Sequence, residues 1–120
     1  MAFTALVLTA LVGLEHVYIF VLEAFLWDTP YGRKTFGMTP ERAAATSSLA
    51  KNQGLYNLFL AAGIGWSFLC APDMALQLRI FFVGCVIVAA IVGSITANRS
   101  ILVVQGAPAL LAMAALMLSR

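Results

Sequence analysis

Three ionisable side chains interrupt the first apolar stretch of the chain: Glu15, His16 and Glu23. An adjacent carboxyl and imidazole can share a proton, which suits proton exchange, recognition of a cation, or general acid–base work. Inside hydrocarbon such groups cost about 2.5–3.5 kcal/mol each at the bilayer centre, so they need an enclosed polar setting. At about 100° per residue, His16 and Glu23 lie within about 20° of one another, while Glu15 lies about 100° from His16. All three share a sector with Val12, Ile19 and Leu26, and that sector is expected to face other helices. Glu15 and His16 are expected near mid-membrane, with Glu23 about 10 Å further along the helix.

A second polar group occurs at Asn52, Gln53, Tyr56 and Asn57, and isolated polar residues come later at Ser94, Asn98 and Gln105. Chain direction places all of these in the same half of the membrane as Glu23. The expectation is a polar pocket formed by Glu15, His16, Glu23, Asn52, Gln53, Tyr56, Asn57, Asn98 and Gln105, open to the cytoplasm and closed outside by Leu, Ala, Val, Met and Phe. A plainer role stands beside it: amides and tyrosines near helix ends also serve as interhelical glue, worth about 0.6 kcal/mol per contact on average.

Metal chemistry is poorly served by these residues. The chain has one His and no Glu-x-x-His pairing, so neither a metal site nor any other cofactor is expected. Cys70 and Cys85 stand at depths that differ by over about 10 Å and do not suggest a disulfide. Arg33 and Lys34, with Tyr31 and Phe36, form a small basic and aromatic surface loop. That loop suits anionic headgroups and topology control, or a lid over the pocket.

The elements that must position these groups are set by hydropathy. Of the 120 residues 62% are hydrophobic and 10% charged, with a mean hydropathy of +0.98. That leaves too little polar surface for a water-soluble domain of this size. A net charge of +2 gives no reason to invoke nucleic acid. A helix needs about 20 apolar residues to cross a bilayer core of about 30 Å. Spans are expected at approximately 3–27, 53–71, 74–97 and 101–118, giving an all-α, four-helix transmembrane bundle in a single domain. Residues 28–52 form a cytoplasmic loop or interfacial helix. Within them Thr39, Pro40 and Glu41 mark a helix start: a hydroxyl cap, a proline at the first position and an acid in the first turn. Gly54, Gly63 and Gly65 are expected to permit close helix approach. No Lys or Arg precedes Arg33, so the first apolar stretch lacks the basic region of a signal peptide and reads as a retained helix.

Orientation is read from the basic residues. Arg33, Lys34, Arg42, Lys51 and Arg99 fall on one side, Arg79 and Arg120 on the other. Five against two places the long loop in the cytoplasm and both termini outside.

Several segments together resemble a known family. Glu15-His16-Val17-Tyr18-Ile19, Trp27-Asp28-Thr29-Pro30 with Gly32-Arg33-Lys34 and Phe36-Gly37, and Asn52 to Asn57 with Phe59-Leu60-Ala61-Ala62-Gly63 after them are similar to a bacterial family of small integral membrane proteins, domain of unknown function 1304. The resemblance covers nearly the whole chain, and its first half is the specific part. It implies a four-helix protein of the bacterial inner membrane and leaves activity open.

The leading expectation is small-molecule binding or transport, with Glu15 and His16 as the protonatable pair. Membrane lipid is a partner, and a homodimer is expected because one bundle is small for alternating access. The alternatives are a membrane-embedded enzyme acting on a lipid-soluble substrate, with Glu15 or His16 as acid or base, and a non-catalytic accessory protein.

Overall fold

A computed structural model describes residues 2–120 and is all-helical, with no strand among the described residues. Helix α1 spans Ala2–Ala24, α2 Pro30–Phe36, α3 Pro40–Ser67, α4 Pro72–Thr96 and α5 Ala107–Leu118, with a π-helical turn at Leu102–Gly106 before α5. Among the described residues there are thus five α-helices, and α2 falls in the stretch 28–52 expected as a loop or interfacial helix. Among the described residues only α1 and α4 are both long and apolar enough to cross a membrane. Helix α3 misses that standard because Lys51, Asn52, Gln53 and Asn57 occupy its middle.

Prolines set most of the starts. Pro30, Pro40 and Pro72 each occupy the first position of a helix, where a missing N–H costs nothing and the fixed φ is already helical. Thr29 and Thr39 cap α2 and α3, their hydroxyls accepting from the amides of Gly32 and Arg42, each at 3.2 Å. Helix α2 closes on Gly37, whose φ of 63° places it in the left-handed region. There glycine avoids the Cβ penalty that other residues meet.

The expected spans differ from these helices in four places. The first helix ends at Ala24 and not Trp27, because the Leu26 amide reaches five residues back to the Val21 carbonyl that Phe25 already uses, and the regular ladder stops there. The second begins at Pro40, where Thr39, Pro40 and Glu41 mark a helix start, and ends at Ser67, short of residue 71. The third begins at Pro72, so Pro72 and Asp73 belong to its first turn. The last is interrupted, its amide at Ala107 bonding to Leu102 across a widened turn. Pro108 explains the widening: its ring clashes with the carbonyl four residues back and it has no N–H to offer there.

Two compact units share these helices, and α1 and α3 each contribute to both. One holds the residues up to Glu15 together with Leu60–Arg120. Its core is Ala5, Val12, Ile64, Val83, Val86, Ala109, Ala112, Ala115 and Leu116. The alanines let α5 lie close to its neighbours, and Phe82 fills the space over Gly63, where a Cβ would come within 2.3 Å of its ring. In the same unit Arg79 closes the end of α3. Its Nε donates to the buried Ser67 hydroxyl at 3.1 Å and Nη2 to the Ser67 carbonyl at 3.2 Å. The guanidinium lies 4.7 Å from the Phe68 ring centre. A cation at a helix C-terminus meets carbonyls that have no helical partner.

The second unit, His16–Phe59, is built on a close approach of α3 to α1. A Cβ on Gly54 would stand 3.2 Å from the Ala24 amide, the Glu23 Cβ and the Phe20 carbonyl. Gly65, by contrast, faces open space, so of the three glycines expected to permit close packing it does not.

Candidate functional site

The second unit carries the polar site. Because Gly54 brings α3 against the last turn of α1, Asn57 one turn later reaches Glu23. Its Nδ2 donates to the Glu23 carboxylate at 2.5 Å and to the Gln53 carbonyl at 3.2 Å. This bond to a charged acceptor holds the carboxylate at the end of the helix that carries it.

Beyond Glu23 the chain turns through 25–29 and back along α3. The Trp27 indole donates to Thr46 at 3.0 Å, and the Trp27 and Phe36 rings lie 4.7 Å apart. Gly32 presses on the same turn: a Cβ there would fall 1.9 Å from the Leu26 carbonyl oxygen. Only glycine allows that contact. Arg33 then pairs with Asp28 at 2.8 Å. At the base of α1, the hydroxyls of Tyr18 and Tyr31 are hydrogen bonded.

These contacts enclose a cleft of about 180 Å³. Glu23, Asp28 and Thr29 border it together with Ser47 and Lys51 from α3, and Phe25 and Trp27 supply apolar wall. Thr29 is committed on both sides, donating to Leu26 and accepting from Gly32. Asp28 is committed to Arg33. Glu23 has one oxygen engaged by Asn57, and the residue borders the cleft.

The remaining expected site residues are spread over several elements. His16 is fully buried. Glu15 is exposed along part of its length, and one of its oxygens is enclosed with no hydrogen-bond partner among the described residues. Asn52, Gln53 and Tyr56 lie on α3, with Tyr56 exposed. Asn98 is exposed after α4, its side chain accepting from the Ser100 amide at 2.9 Å. Gln105 is half-buried in the π-helical turn. Arg33 serves the Asp28 pair, and Lys34 is exposed. The structure therefore joins Glu23 to Asn57, and Glu23 is the member of the expected set that borders the cleft.

Residues outside that set also matter. Ser47 and Lys51 are one turn apart on α3, and both reach the cleft. Their i, i+4 spacing is visible in the sequence, but it falls inside the polar stretch 28–52, expected as a loop or interfacial helix and not as part of the pocket. Thr9 is fully buried with its hydroxyl lacking a hydrogen-bond partner among the described residues. An apolar groove along α4 and α5, past Phe81, Gly84, Val88 and Met113, has almost no polar lining. No group of three or more metal-ligating side chains stands together among the described residues. Cys70 and Cys85 are free thiols.

No solved structure matches this chain. An uncharacterized protein, YpaA, from Lactococcus lactis subsp. lactis (strain IL1403) is 31% identical over 115 residues, covering 94% of this chain and 96% of the relative. The family described as Protein of unknown function (DUF1304) matches residues 10–117. With nearly its whole length matched in both comparisons, the chain belongs to the DUF1304 family.

Proposed function

We propose that the protein is a multi-pass membrane protein that binds a small molecule in a polar cleft open to the cytoplasm and passes it in a proton-linked step. The observation that carries this reading is Glu23: a half-buried carboxylate, held by Asn57, on the wall of a polar cleft in an otherwise apolar chain. A carboxylate retained there needs a reason, since hydrocarbon penalises it.

Membrane insertion is supported by where the apolar surface lies. Within the most apolar windows of α1 and α4 only 33% and 17% of residues are buried inside the chain. Phe81, Val88, Ile95, Val103 and Leu111 are all more than 60% exposed. Water would not tolerate such a surface on a folded monomer, whereas lipid solvates it. In this reading α1, α3, α4 and the stretch 102–118 all cross the membrane. The count of basic residues puts α2 and the first turns of α3 in the cytoplasm and both termini outside. Glu15 and His16 then lie at mid-depth as the groups that exchange protons, with Glu23 near the cytoplasmic entrance.

Two measurements test this. Ser47→Cys, on a chain with Cys70 and Cys85 replaced by serine, is labelled by a membrane-impermeant maleimide in inside-out vesicles and spared in right-side-out ones. Proteoliposomes holding a trapped pH indicator take up protons under an inward-negative potential, and Glu15→Gln or His16→Ala abolishes the uptake. Labelling from the outside overturns the topology. Proton uptake that is absent in the wild type, or unchanged in both variants, overturns the transport reading.

A further inference from the structure

The cleft beneath α1 presents two opposite charges that do not neutralise each other. Among the described residues the one ion pair is Arg33 with Asp28. Glu23 and Lys51 both border the cleft, yet neither is paired with the other. Glu23 keeps one carboxylate oxygen uncommitted. Ser47, one turn before Lys51 on α3, has a hydroxyl with no hydrogen-bond partner among the described residues. The other polar groups of the wall are spoken for: Thr29 by Leu26 and Gly32, Trp27 by Thr46, Asp28 by Arg33. The open functions are therefore one carboxylate, one ammonium and one hydroxyl around about 180 Å³.

A ligand carrying a single charge would satisfy one wall and leave the other exposed to it unpaired. The penalty for an unpaired charge falls on half-buried Glu23, while exposed Lys51 stands at the rim as a cation that a ligand's acid group can meet. A ligand with both signs satisfies both walls together. We infer that this cleft takes a small primary-ammonium zwitterion: the ammonium sits against Glu23, which offers an acceptor, and the acid group sits between Lys51 and Ser47, which offer donors. Phe25 and Trp27 wall the short carbon chain between them. A primary ammonium fits better than a quaternary one, because Glu23 needs N–H donors that a methylated nitrogen lacks. The same chemistry occurs in a free amino acid and in the ethanolamine phosphate headgroup of a lipid, and the cleft's place at the proposed membrane surface is open to both. This inference rests on the cytoplasm-facing cleft proposed above and specifies what occupies it.

The test uses the full chain purified in a mild maltoside detergent, with thermal unfolding followed by intrinsic fluorescence. The probes are glycine, β-alanine, 4-aminobutyrate and phosphoethanolamine, beside methylamine, acetate and glycine betaine as singly charged or N-methylated controls. At least one primary-ammonium zwitterion raises the unfolding temperature and shows saturable binding, while all three controls do not. Glu23→Gln and Lys51→Gln each weaken that binding by about tenfold or more, and Lys34→Gln, an exposed lysine away from the cleft, leaves it unchanged. Lys51 is exposed, so its variant folds even if Glu23→Gln does not. A second arm places the protein in nanodiscs with and without phosphatidylethanolamine. If that lipid competes with the free zwitterions, the headgroup is the source; if it does not, the free solute is. Either result upholds the ligand class. Equal stabilisation by methylamine or by acetate alone, or binding unaffected by both Glu23→Gln and Lys51→Gln, overturns it. Absence of zwitterion binding while Ser47→Cys is still labelled from the cytoplasmic side overturns the ligand class alone. Failure of that labelling as well removes the cleft itself.

Discussion

Removing the hydrogen bond between Asn57 and Glu23 should reveal how firmly the cleft is held. The perturbation is a double-mutant cycle with Glu23→Ala, Asn57→Ala and the pair together. A neutral interhelical hydrogen bond in a membrane averages about 0.6 kcal/mol. A charged acceptor roughly doubles such a bond, so the coupling between the two side chains should be about 1.2 kcal/mol. Asn57 also donates to the Gln53 carbonyl at 3.2 Å, and that loss appears in both variants lacking Asn57 and cancels from the cycle. Taken alone, Asn57→Ala should cost more than the coupling, because Glu23 is then left without its donor. The assay is reversible unfolding in mixed dodecylmaltoside and dodecyl sulfate micelles, monitored by circular dichroism, with free energies compared at one detergent fraction. A coupling below about 0.3 kcal/mol would mean that Glu23 is satisfied by water and not by α3. The claim that α3 holds the carboxylate in place would then fail.

Three further perturbations probe the scaffold. Gly32→Ala forces a Cβ to within 1.9 Å of the Leu26 carbonyl oxygen, and overpacking against backbone should cost about 1–3 kcal/mol. The expected readout is a lower unfolding temperature with new proteolytic cleavage at α2; an unchanged protein would contradict the close contact. Gly54→Leu should destabilise strongly while Gly65→Leu changes little, since the first meets Ala24, Glu23 and Phe20 and the second meets nothing; equal effects in thermal unfolding would count against the α1–α3 approach. Arg79→Met should lower stability by about 1–3 kcal/mol by leaving the buried Ser67 hydroxyl and carbonyl without their donor, and Arg79→Lys should restore only part of it, because lysine lacks the two-pronged geometry. Thermal unfolding of both variants checks this, and full rescue by lysine would refute it.

Much of the scaffold is legible in the sequence. Thr39, Pro40 and Glu41 announce the start of α3, and the structure places it there with the Thr39 cap made. Matching depths along α1 and α3 put Asn57 level with Glu23, and the two are hydrogen bonded. The parts that are not legible have physical reasons. Helix α2 is seven residues long and lacks an apolar stripe, so periodicity is silent, although Thr29 and Pro30 repeat the signal that Thr39 and Pro40 carry. Thr9 and Ser67 are buried hydroxyls, which a hydropathy average blends into their apolar neighbours. The cleft itself depends on a turn at 25–29 that brings Glu23 beside Ser47 and Lys51, residues far apart in the chain. Spacing within one helix cannot report such a meeting. Gly65 shows the converse: it shares the short spacing of Gly63, yet one lies against a ring and the other against nothing.

The widened turn at Leu102–Gly106 makes the chain tolerant of a length change at one place. Such a turn holds one residue more than a regular helix needs for the same advance, and the surplus is looped outward without altering the phase of the residues after it. Excising Val103, which is 69% exposed, should therefore remove the surplus residue while Ala109, Ala112 and Leu116 keep pointing inward, with Pro108 leaving a kink where the wide turn was. The same excision in the middle of α4 would swing every later side chain by about 100° and turn buried Val86 and Ala90 outward. Hydropathy plots of the two deletants would look almost alike, and only one would assemble.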